Sequence, residues 1–451
     1  MRWTAFPLMM LWLSAAGVAA QERLAIKGGR ILPVTGSPIE GGVILIRDGK
    51  IEAVGKELAI PSEAKVIDAT GKVIVPGFVE AHSMRGTDRS NETNPNVPFL
   101  SVVDAIDPSQ DYFEECRRNG VTASAIVPGN QTMFGGQAAV VKTAGGFVDE
   151  MIVKRAAGIK ISLRPTSDRN RMGQIAAIRK ALDDARELVA EDTKPEAQPT
   201  ADEKPKDGAG GSAAEQQQPP RRRNQQAGRQ QRPSGEGSDA ALVSESLSRL
   251  LRGELLAFIY CELAMDVPQA IKLINDYKLK GVLVLGQDCY KAIPQIAASK
   301  LPVVLDPTLV FWETDPRTGE DKQIILPKLY RDAGIPITFQ VTGFAAGNLF
   351  RSPNLPPTLG TNYLWYQAAT AVKYGMPPDE ALAALTIRPA QLIGVGSILG
   401  SIEPGKDADL VILTGDPLKL DTWVHTTIVG GKVAYERDTD RKLKALLKPE
   451  K

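Results

Sequence analysis

Two histidines occur in the 451-residue chain, His82 and His425. His82 lies in the run V-P-G-F-V-E-A-H-S-M, with Glu80 two residues before it and Met84 two residues after. Side chains alternate along an extended strand, so residues 80, 82 and 84 share one face. An imidazole and a carboxylate on one face suit metal-dependent or acid–base chemistry, and Glu80 is spaced to hydrogen-bond His82 and orient its ring. Further polar side chains close other strand-like runs: Lys160 in G-I-K-I-S-L, Tyr260 and Glu262 in F-I-Y-C-E, and Asp306 in P-V-V-L-D. Glu262 is able to bind a metal or to line a wet mouth. The motifs G-x-S-x-G, G-x-x-x-x-G-K-[ST] and H-E-x-x-H are absent, so neither a nucleophile elbow, a phosphate loop nor a helical zinc pair is encoded.

Alternating segments must position these groups. Strand-like runs occupy 73–81, 121–127, 137–142, 158–163, 255–262, 281–286, 302–306 and 336–341, with helical patterns such as Val267 to Tyr277, Cys289 to Ala298 and Ile324 to Ala333 between most of them. Eight such runs predict an α/β fold with a (β/α)8 TIM-like barrel. Both ends of the chain are β-rich. Asp48-Gly49, Thr70-Gly71 and Gly430-Gly431 each sit between apolar runs and predict hairpins. Segments of this size cannot bury a core alone, so 21–76 and 396–441 are expected to form one small composite β domain beside a barrel over 77–395.

One stretch departs from this pattern. Residues 191–239 are rich in Pro, Gln, Gly and Arg, with almost no large apolar residues. They are expected to be a disordered insertion within the barrel. At the N-terminus, Arg2, the apolar run Ala5 to Leu13 and Val18-Ala19-Ala20 read as a signal peptide over 1–20, which predicts a secreted or periplasmic protein. No later segment reads as a membrane span, so an integral membrane protein is not expected. Hydrophobic residues make up 43% and charged residues 24% of the chain, with a formal net charge of +1. That balance suits a soluble globular protein and argues against specific nucleic-acid binding. A small-molecule ligand and a homo-oligomer are both compatible with it. Cys116, Cys261 and Cys289 are odd in number and have no C-x-x-C spacing, so at least one thiol is free.

Three motifs carry a resemblance over nearly the whole mature chain. K-V-I-V-P-G-F-V-E-A-H-S-M resembles the first barrel strand of the metal-dependent amidohydrolase superfamily, usually V-x-P-G-x-I-D-A-H-x-H. G-S-I-L-G-S-I-E-P-G-K-D-A-D-L-V-I-L-T-G-D-P and T-I-V-G-G-K-V-A-Y-E are similar to its return into the β domain and its closing hairpin. F-G-G-Q-A-A-V-V-K and R-A-A-G-I-K resemble the imidazolonepropionase-related branch. The resemblance implies hydrolysis of non-peptide C–N bonds, as in cyclic amides. Zinc or another divalent ion at the C-terminal ends of the strands would activate a water for it.

The ligand positions implied by that family are mostly filled otherwise. Met84 stands for the second histidine of the first strand, and a thioether is a poor zinc ligand. Tyr260 and Glu262 stand for the pair on the fifth strand. Val284-Leu285-Gly286 replaces the sixth-strand histidine. Thr342 stands where the catalytic aspartate is expected. Asp306 is the nearest spare carboxylate. Lys160 matches a carbamylated bridging ligand of some relatives, or is an ordinary salt-bridged lysine. The expectation is a degenerate pseudoenzyme without a cofactor, binding a ligand or partner through the barrel mouth. The alternative is an active hydrolase with a non-standard metal site built from His82, Glu262, Asp306 or Lys160.

Overall fold

The computed structural model describes residues 22–192, 236–341 and 363–447. The expected signal peptide, residues 193–235 of the expected insertion and Thr342 lie outside the described residues. Helices Arg171–Asp192 and Glu236–Leu251 flank the insertion.

The chain opens with β1 (Arg23–Ile31), β2 (Ile39–Arg47), β3 (Lys50–Gly55), β4 (Lys65–Asp68) and β5 (Val73–Pro76). Asp48 and Gly49 both adopt positive φ, as a tight β2–β3 hairpin requires. The pairing expected around Thr70-Gly71 does not form. β4 and β5 lie end to end along β1, both parallel to it, at Leu24–Lys27 and then at Arg30–Ile31. The turn shifts the chain along one neighbour instead of folding it back.

After β5 come β6 (Phe78–Ser83), β7 (Val121–Ile126), β8 (Phe134–Lys142), β9 (Ile152–Ser162), β10 (Leu256–Cys261), β11 (Gly281–Leu285) and β12 (Val303–Val304). A short hairpin, β13 (Val310–Thr314) and β14 (Asp321–Ile325), precedes β15 (Ile337–Thr338). Strands β6 to β12 and β15 form one nearly closed eight-stranded sheet in chain order. It departs from the (β/α)8 pattern at one strand: β8 runs antiparallel to both β7 and β9. Parallel neighbours need a crossover of about a dozen residues or more. Residues 127–133 and 143–151, which flank β8, are too short for one.

The last strands, β16 (Leu410–Leu413), β17 (Val424–Val429) and β18 (Lys432–Glu436), join the first five in a second sheet, with β16 antiparallel to β5. Pro76 and Gly77 carry the chain from this sheet into β6. A Cβ on Gly77 would lie 2.0 Å from Thr122 Oγ1, so only glycine fits where the two sheets touch.

Three apolar clusters hold the frame. One lies between the barrel sheet and its helices, with Phe113, Ile161, Leu182 and Leu283. One fills the barrel interior, with Val79, Ala125, Phe258 and Val284. The third fills the small sheet, with Ile26, Ile44 and Ile412. Burying each of the larger of these side chains contributes about 1.5–3 kcal/mol. The three cysteines are free and buried. Among the described residues no helix is long and apolar enough to cross a membrane.

Candidate functional site

Parallel strands direct their C-terminal ends to one rim of the barrel. His82 near the end of β6, Lys160 on β9 and Tyr260 on β10 meet just below it. Lys160 Nζ lies 2.9 Å from His82 Nε2, and both residues are fully buried. The amine also sits 5.3 Å from the centre of the Tyr260 ring, and the Phe258 ring tilts against the imidazole at 6.2 Å. Burial lowers the Lys160 ammonium to about 7. Burial, with the Lys160 charge second, holds the His82 imidazolium well below its ordinary range. His82 is therefore neutral; the Gln340 side chain is its other polar neighbour, though Nδ1 makes no well-formed hydrogen bond.

Glu80 does not bond His82. The pairing of β6 with β7 slips between Phe78 and Val79 and again between Glu80 and Ser83, so strict alternation fails. The Glu80 carboxylate accepts from Tyr112 Oη at 2.8 Å and from the Val341 amide at 3.0 Å. Tyr112 Oη also lies 2.8 Å from Ser124 Oγ. Burial pushes the Glu80 carboxyl up to about 7, against these donors. Met84 is half-buried just beyond the end of β6. His425 lies in the small sheet on β17, with Nδ1 2.8 Å from Thr426 Oγ1.

Above the pair opens a cavity of about 460 Å³, lined by Tyr260, Glu262, Asp288, Tyr290, Asp306 and Trp312 among others. Glu262 is held by two guanidiniums, Arg171 at 2.8 Å and Arg164 at 3.3 Å. Asp266 accepts from the Glu262 and Leu263 amides and from Arg171 Nε, which fixes this corner. Asp306 accepts from the Thr308 amide at 2.8 Å, and burial raises its carboxyl. Arg164 also lines a neighbouring polar cavity with Thr166 and Asp168, so the Arg164–Glu262 pair divides the mouth.

These groups do not make a fitting donor set for the divalent ion the family implies. Among the described residues no three His, Cys, Asp or Glu side chains are grouped to hold a metal. The Nε2 of His82 faces an amine, Glu80 is turned to Tyr112 and Val341, and Glu262 is engaged with arginines. Tyr260, Glu262 and Asp306 do share one cavity. His82, Glu80 and Lys160 lie outside its lining.

Tyr112, Gln340, Tyr290 and Trp312 are absent from the sequence reading. Gln340 donates to the Leu305 carbonyl and accepts, through its own carbonyl, from Gln367, which ties β15 to its surroundings. Trp312 comes from the β13–β14 hairpin, whose signal is the alternation in V-F-W-E-T followed by the turn residues D-P-R-T-G.

The amidohydrolase family model matches residues 307–434. The chain is 24% identical over 428 residues to amidohydrolase tasK of Hapsidospora irregularis, covering 86% of this chain but 39% of that protein. It is also 24% identical over 401 residues to imidazolonepropionase of Thermoplasma volcanium, covering 84% of this chain and 85% of the relative. The crystal structure of an amidohydrolase from Thermotoga maritima MSB8 superposes with a TM-score of 0.70 at 27% identity, over 92% of this chain and 100% of that one. With the barrel, the motif at its first strand and these relatives together, the chain belongs to the amidohydrolase superfamily.

Proposed function

We propose that this chain is an amidohydrolase-superfamily scaffold that no longer runs metal-dependent hydrolysis and instead holds a small molecule at its barrel mouth. The observation that carries the reading is the Lys160–His82 contact. The imidazole nitrogen that would face an ion faces an amine, which repels a divalent cation when charged. The position expected to supply the catalytic aspartate carries Thr342, which is not a base at neutral pH. The mouth above keeps the concave shape and convergent polar groups of a ligand site. The small mixed sheet is taken as a composite domain supporting the barrel.

The test is metal analysis of the purified full chain, with hydrolysis assays across amide and cyclic-imide panels. The reading expects well under one equivalent of zinc, manganese or iron, and no turnover. Near-stoichiometric metal that is lost in His82→Ala, with measurable hydrolysis, would instead establish an active hydrolase with a non-standard centre.

Export is part of the proposal and rests on the apolar run Ala5 to Leu13 and on Val18-Ala19-Ala20. N-terminal sequencing of the protein recovered outside the cytoplasm is expected to begin at Gln21; an intact Met1 there would sink it.

A further inference from the structure

The mouth cavity has an uneven chemistry. Its lining includes four carboxylates, on Glu262, Asp288, Asp306 and Glu313, and no lysine, arginine or histidine. Three of the four are already ion-paired: Glu262 has Arg164 and Arg171, while Asp288 and Glu313 share Lys291. Asp306 differs. Among the described residues it has no ion-pair partner, and its hydrogen bonds come from Thr308, through the amide and the hydroxyl. A carboxylate drawn partly out of water and left without a counter-charge is costly.

Aromatic rings stand beside it. Tyr260, Tyr290, Phe311 and Trp312 line the same cavity. Trp312 is 65% exposed on the β13–β14 hairpin, which is a large apolar area to leave in water. Tyr290 and Phe311 meet edge to face at 6.1 Å. Ring faces attract positive charge, most strongly when the cation is shed of water, and aromatic cages select quaternary ammonium groups in this way. An anion entering here would meet carboxylates and no lining cation.

We propose that the barrel mouth binds an organic cation, with its charged nitrogen on the Asp306 carboxylate and among the rings of Tyr260, Phe311 and Trp312. This rests on the reading of the mouth as a ligand site and names the class of ligand it takes. The cavity of about 460 Å³ falls within the usual range for small-molecule sites.

Titration calorimetry on the full chain tests it, with benzyltrimethylammonium as the probe, neopentylbenzene as its uncharged isostere and benzoate as the anion. The cation is expected to bind about tenfold or more tightly than the isostere, and benzoate not to bind. Asp306→Asn is expected to weaken the cation by about tenfold. Trp312→Ala, on an exposed hairpin where folding is not at stake, is expected to weaken it by about fivefold. Equal binding of the isostere and the cation, unchanged by Asp306→Asn, overturns the cation assignment and leaves the mouth as a ligand site. Binding of none of the three probes overturns the cation assignment and removes the support it lends to the ligand-site reading.

Discussion

Lys160 Nζ lies 2.9 Å from His82 Nε2, and neither side chain reaches solvent. Burial holds the imidazole neutral and brings the amine to about 7, so near neutral pH the pair has room for only one proton on its amine. An amine in this position does locally what an ion would do in a metal-bearing barrel: it faces the imidazole nitrogen and supplies intermittent positive charge.

Two buried groups make stability depend on pH with opposite signs. The Glu80 carboxyl rises from 4.5 to about 7 on folding. The folded state then holds the extra proton, and stability falls as pH rises from about 4.5 to 7. Lys160 drops from 10.5 to about 7. The unfolded state then holds the extra proton, and stability rises from about 7 to 10.5. Thermal melts across this range are expected to show the two limbs. Glu80→Gln should gain on the wild type as pH climbs to 7, and Lys160→Met should fall further behind the wild type between 7 and 10.5. Each limb is worth about 3 kcal/mol or more. Difference curves flat in pH would show that these groups are not buried as described.

The pair also invites a double-mutant cycle. His82→Leu leaves Lys160 without its neighbour, and Lys160→Met takes from the imidazole the partner at its Nε2. Each single change is expected to cost about 1–3 kcal/mol. Made together they replace two buried polar groups by apolar ones, and the double variant should cost clearly less than the sum. Additive losses in denaturant unfolding would mean the two side chains do not interact.

Tyr112 holds Glu80 through its hydroxyl. Tyr112→Phe keeps the ring and removes the donor. The expected loss is about 1–2 kcal/mol, larger at pH 8 than at pH 5, because the bond matters most to the ionised carboxylate. A loss equal at both pH values would separate the hydroxyl from Glu80.

Gly77 allows the two sheets to meet. Gly77→Ala places a Cβ 2.0 Å from Thr122 Oγ1 and should destabilise by about 1–3 kcal/mol through overpacking. Adding Thr122→Ala should recover only part of the loss in melting temperature, because the Thr122 Cβ would itself lie 2.7 Å from the new methyl. Failure to recover would put the strain in the backbone.

Much of this frame was legible from residue spacing. Asp48-Gly49 and Gly430-Gly431 mark hairpins, and all four residues take the positive φ such turns need. The eight strand-like runs each give one strand of the barrel sheet, in chain order, and the first of them, 73–81, also holds β5 of the small sheet. The reversal of β8 was written in the length of its flanking connections, which are too short for a crossover. Thr70-Gly71 misled because turn chemistry shows that the chain bends, and not which neighbour it then meets.

The site was harder to read. His82 stood out by residue type, but its partner lies 78 positions away, and periodicity carries no information at that range. The slip in β6 that parts Glu80 from His82 leaves no trace in composition. Tyr290 shapes the mouth from a short turn that the helical reading from Cys289 had covered, and Trp312 from a hairpin in a region given no element by its spacing.

The Glu80–Val341 bond has a mechanical consequence. Among the described residues no ladder joins β15 to β6 in the barrel sheet, and the Glu80 carboxylate reaches across this seam to the Val341 amide. The cylinder is in effect a split ring with a side-chain clasp at the gap. Amide protons of β15 are therefore expected to exchange with solvent well before those of β10 and β11, and faster still once Glu80→Ala undoes the clasp.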